Sequence, residues 1–63
     1  MTKKLITIIH DKMLKLSESE DTSNVEDSKN YLYVVTKSKD HVHGIVLNKS
    51  TMKVLYANYI RLL

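Results

Sequence analysis

His41 and His43 stand two residues apart in an apolar stretch, so on an extended backbone both imidazoles leave the same face of the chain. With Asp40 or His10 as a third donor the pair could ligate Zn²⁺, which takes three or four nitrogen, sulfur or oxygen ligands. Local spacing places only two, and histidines on a strand surface account for the pattern without a metal. The serines at 17, 19, 23, 28, 38 and 50 fall in turn-like sequence at no meaningful spacing from a histidine, so no nucleophile is set beside a base and an orienting group. Glu18, Glu20 and Asp21 lie in a polar stretch that cannot hold two carboxyls at a fixed separation. The chain therefore reads as non-catalytic, with no metal and no cofactor.

A chain of this kind works by its surface. Two binding chemistries are open. The first is recognition of another protein, through an exposed strand edge, the tyrosine-lined patch around Tyr59, or the acidic residues against a basic partner. Its residues would be Tyr59, Asn58, Tyr33, Tyr56, Glu18, Glu20 and Asp21. The second is nucleic-acid binding, which asks for basic side chains flanking stacking aromatics. Lys37, Lys39, Lys49, Lys53 and Arg61 supply the charge there. Protein binding is the first expectation and a basic nucleic-acid binder the alternative.

Charge is unevenly placed. Residues 17–30 hold five carboxylates against Lys29, a net −4, while the rest of the chain holds nine basic residues against Asp11 and Asp40, a net +7. A basic body beside an acidic insert attracts polyanions, or folds the insert back over itself. The bland alternative is a set of solvated faces on a small soluble domain.

Sixty-three residues make one small domain, which buries only roughly 60% of the surface its unfolded chain exposes. No cysteine is present, so neither a disulfide nor a thiolate zinc site can staple it. Tryptophan, phenylalanine and proline are also absent, and the core must be built from aliphatic residues, methionine and four tyrosines. No apolar run approaches the ~20 residues of a membrane span. A signal peptide is not expected, because the first apolar stretch is short and broken by His10, Asp11 and Lys12. The expectation is a cytoplasmic protein of open oligomeric state.

The elements that must position these groups vary in clarity. Residues 31–36 form the clearest strand, with Tyr31, Tyr33 and Val35 on one face and Leu32, Val34 and Thr36 on the other. Both faces are apolar enough that the strand should be covered on both. Residues 42–47 and 52–56 read as two further strands parted by the polar tetrad 48–51, which makes an antiparallel meander. Gly44, the only glycine, marks a bulge, a sharp bend or a close backbone approach. Residues 17–30 contain one apolar side chain, Val25, and read as a mobile acidic loop. The opening segment is ambiguous. Leu5, Ile9, Met13 and Leu16 share a helical stripe, whereas the β-branched run 5–9 favours a strand. We take the strand, because the end of the chain needs a pairing partner.

The closing run Ala57-Asn58-Tyr59-Ile60-Arg61-Leu62-Leu63 resembles the last segment of Src-homology-three domains. That resemblance implies a mostly-β, small antiparallel barrel with 17–30 as its long acidic loop. In it, 57–59 form a 3₁₀ turn and 60–63 pair with 5–9 to close the barrel. The family's tryptophans and proline are missing, so the proline-peptide activity is not carried over. Residues 34–54, with Gly44 at the centre, also resemble the first half of Sm-type barrels, which begin with a helix. The alternative architecture is α+β, an N-terminal helix with a three-stranded antiparallel meander. Finally, the small size and the Lys/Asn/Ile-rich, Pro- and Cys-free composition resemble phage-encoded accessory proteins, which implies a host factor as the partner.

Overall fold

The computed structural model describes residues 3–62. One helix, α1 (Lys3–Ser17), is followed by four strands, β1 (Ser23–Asp27), β2 (Tyr31–Lys37), β3 (His41–Asn48) and β4 (Val54–Arg61). The strands form one antiparallel sheet in chain order, β1-β2-β3-β4, and α1 packs across β2 and β3 on one side of it. The fold is α+β, and the sheet does not close into a barrel.

The opening segment takes the helical option. Leu5, Ile9, Met13 and Leu16 are its buried residues, all from the stripe that the 3.6-residue period draws. Lys4, Thr7, Asp11 and Lys15 face water, and Asp11 and Lys15 form an i,i+4 ion pair of 3.1 Å. The first turn has no acidic residue and carries Lys3 and Lys4 instead, so the macrodipole works against this end. Helicity here rests on tertiary burial, which overrides the extended preference of the Ile- and Thr-rich run. The expected strand at 5–9 is therefore absent. With it goes the closure of a barrel by 60–63: Ile60 pairs with Val42 of β3 instead, and Leu63 lies outside the described residues.

The helix covers one set of alternating strand positions. Tyr33, Val35, Val42 and Val46 join the four helix residues in the core, and Ile8, Tyr31, Tyr56 and Ile60 pack around them. Gly44 lies in this inner row, and it answers to the close-approach reading. A Cβ there would stand 2.8 Å from Met13 Cγ and 3.0 Å from Ile9 Cγ1, so only glycine lets the helix settle onto β3. The bulge is elsewhere, where Val46 and Leu47 of β3 meet Tyr56 and Val54 of β4.

The acidic stretch 17–30 contains a strand that its composition concealed. β1 buries no side chain, yet it pairs in full with β2, Ser23 to Thr36 through Asp27 to Leu32. Two ion pairs hold it from the neighbouring elements: Glu26 to Lys12 of α1, and Asp27 to Lys49 beyond β3. Nor do residues 57–59 form a 3₁₀ turn, since β4 runs unbroken through them. Its hairpin with β3 is set by Asn48, whose Oδ1 accepts from the Ser50 and Thr51 amides at 2.9 and 3.1 Å. Met52 takes up the left-handed conformation that ends this connection, with φ 60°.

Candidate functional site

Two features of the sheet stand out once the helix is in place: the face that α1 leaves uncovered, and the outer edge of β4. The uncovered face is read directly from the register. Val25, Val34, Ile45 and Ala57 form one row across the four strands, and Asp27, Leu32, Leu47 and Val54 form the row at one end. At the other end lie Thr36, His43 and Tyr59, then His41 and Arg61.

That second end carries the polar groups. The His41 and His43 rings meet edge-on with centroids 4.5 Å apart, and Tyr59 stands 6.0 and 5.8 Å from them. With Asp40 and Arg61 they line a shallow cleft of about 270 Å³. His41 Nδ1 donates to Asp40 Oδ1 at 2.7 Å when that nitrogen carries the proton. Ser38 Oγ lies 3.1 Å from Nδ1 and 3.2 Å from Nε2 of the same ring. Serine, histidine and aspartate thus come together in a way their sequence spacing did not signal. The hydroxyl is equidistant from both nitrogens, however, and is not aimed along the Nε2 lone pair as a nucleophile facing its base must be. It also reaches the His41 carbonyl at 3.3 Å, so its contacts belong to the β2–β3 turn. His10 is exposed on α1, across the sheet from His41 and His43. Among the described residues no three metal-ligating side chains gather.

The β4 edge is defined by its backbone. The Leu62 amide donates to the Asp40 carbonyl at 2.8 Å, which directs position 62 toward β3. By the two-residue alternation of an antiparallel ladder, Arg61, Tyr59 and Ala57 direct their backbone groups away from β3, to the open side. The Tyr59 amide bears this out, since it donates to Asn58 Oδ1 at 2.8 Å. Asn58 in turn donates from Nδ2 to the Tyr56 hydroxyl at 3.1 Å. A side-chain amide thus stands where a neighbouring strand's carbonyl would be.

The expected protein-binding residues divide. Tyr59, Asn58 and Tyr56 lie together on β4, Tyr59 at 58% exposure. Tyr33 does not belong with them: it is 6% exposed, beneath Lys12, whose ammonium lies 5.3 Å from the ring centroid. Its place on the inner face of β2 makes it core. Glu18, Glu20 and Asp21 lie in the α1–β1 connection, near the opposite edge of the sheet from β4. The basic set divides as well. Lys37, Lys39 and Arg61 are at one end of the strands and Lys49 and Lys53 at the other, about 20 Å away for strands of this length. Lys37 is bound to the Ser19 carbonyl and Lys49 to Asp27, so two of the five are already engaged.

The strand 31–36 was expected to be covered on both faces, but no described element packs on its outer side, so Leu32 and Val34, with Ile45 and Leu47 of β3, are left as a surface. The available signal was an apolar residue at every position of 32–35, which marks a strand apolar on both faces. Comparison of the chain with family models, with curated proteins and with solved structures finds no match in any of the three. No helix among the described residues is long and apolar enough to cross a membrane.

Proposed function

We propose that this chain is a non-catalytic protein-binding module that takes an extended segment of its partner along the free edge of β4. The observation that carries this reading is the contrast between the two edges. β1 is five residues long and ends in Glu26 and Asp27, the short, charged form by which sheets discourage further pairing. β4 is eight residues long, has no proline, and carries one charge, Arg61, at its end. An added strand gains main-chain hydrogen bonds from such an edge, and its alternate side chains find Tyr59 and Ala57 on one face, Tyr56 and Asn58 on the other. The resemblance of the composition to that of phage-encoded accessory proteins implies a host factor as the partner.

Ala57→Pro tests the edge. It removes an amide that points away from β3 and so leaves the native ladder intact. Peptides selected from a random display library against the wild type should bind it and should lose at least tenfold in affinity for the variant. Circular dichroism should be unchanged, and binding should slow hydrogen exchange at the Ala57 and Arg61 amides. Equal affinity for both proteins would remove the edge from the reading. Oligonucleotide binding at low salt, lost on replacing Lys37, Lys39, Lys49 and Lys53 by Ala, would replace it with the nucleic-acid alternative.

A further inference from the structure

We propose that the uncovered face of the sheet is the interface of a homodimer, with two copies stacked face to face. An antiparallel sheet that leaves one face in water normally alternates apolar and polar residues. Here the two central strands place Leu32, Val34, Ile45 and Leu47 on the uncovered side. Their neighbours across the edge strands are Val25, Val54 and Ala57, with Val25 and Val54 61% and 59% exposed. A sheet apolar on both faces is the inner layer of a larger packing, and the described residues cover one side only.

Size and charge both point to a second copy. Four strands at ~4.8 Å spacing and seven residues at ~3.3 Å give a face of roughly 19 by 23 Å, and two such faces crossed near 90° cover about 700 Å² in projection. Side chains standing off both sheets raise the accessible area above this projection, toward the ~1,000 Å² of a small specific interface. The face is self-complementary in charge. Asp27 occupies the corner where β1 ends, with Oδ1 on Lys49, and Arg61 occupies the diagonally opposite corner, where β4 ends. Among the described residues Arg61 has no carboxylate within ion-pair distance. A two-fold axis along the other diagonal, from the Ser23 corner of β1 to the Val54 corner of β4, lays Asp27 of each copy on Arg61 of the other. The strands of the two sheets then cross near 90°, one of the two arrangements that stacked sheets adopt. Val34 and Ile45 fall at the centre, where water is fully excluded.

Sedimentation velocity from 5 to 500 µM tests this. The wild type should pass from one chain mass to two within that range. Ile45→Lys should stay monomeric throughout with unchanged circular dichroism, and Val34→Ser provides the same reading should the lysine variant fail to fold. Asp27→Arg and Arg61→Asp should each weaken association at least tenfold, and the double variant should recover most of it. Because the chain has no cysteine, Val54→Cys introduces a single thiol on the proposed axis, and it should form a disulfide between copies under mild oxidation. A wild type that is monomeric at 500 µM overturns the proposal. So does a dimer that survives Ile45→Lys and dissociates with Ala57→Pro, which would put the second copy on the β4 edge. A dimer without the Val54→Cys cross-link overturns the diagonal arrangement. Ala57→Pro is expected to leave dimerisation intact, so failure here and failure of the edge reading are separate results.

Discussion

The two faces of β2 and β3 are built from similar residues and meet different fates. On the inner side Val35, Val42 and Val46 are each 0% exposed beneath Ile9 and Met13 of the helix. On the outer side Val34, Ile45 and Leu47 keep intermediate exposure, with no described element packed above them. Hydrophobicity alone does not sort the two. What sorts them is Gly44, the one inner position without a side chain, which lets α1 approach one face. A small domain of aliphatic residues thus acquires a core and an apolar surface from one alternating pattern.

The sharpest way to break this contrast is from the helix. Ile9→Ala empties a fully buried site and should cost about 2–5 kcal/mol. For 63 residues the whole stability is about 3–9 kcal/mol, so the urea midpoint should fall by about a fifth or more. Gly44→Ala should cost about 1–3 kcal/mol by forcing Met13 and Ile9 out of place, again read from the urea midpoint. If it were neutral, the helix would not be held to this face by a close approach. Ile45→Ser on the opposite face should cost less than about 1 kcal/mol at low-micromolar protein concentration. A loss as large as that of Ile9→Ala would mean that the outer row is core. The smallest effect is expected at the edge. Glu26→Gln removes the partner of Lys12, a contact that is half-exposed on the carboxylate side, and should cost about 0.2–1 kcal/mol, less at high salt. Thermal melts at two ionic strengths check it.

Much of the architecture was legible before any coordinates. The strands β2 and β3, their antiparallel hairpin, the special place of Gly44, and the stripe of Leu5, Ile9, Met13 and Leu16 all follow from period and composition. The candidate surface was legible in part. Tyr59, Asn58 and Tyr56 do share a strand, but Tyr33 reads the same in sequence and is buried, because the alternation of β2 turns it toward the helix. β1 was invisible, since a strand that buries no side chain leaves no apolar period; backbone pairing and two ion pairs hold it instead.

What the sequence determined by itself is therefore the set of apolar rows and their spacing, because side-chain period is a local property of the backbone. Whether residues 5–9 became helix or strand was left to tertiary structure. A helix that buries four large side chains on an existing sheet gains more than the local preference of Ile and Thr costs. That choice removed the partner on which closure of a barrel depended. It left β4 as an edge and one face of the sheet bare, and so created both surfaces on which the functional proposals rest.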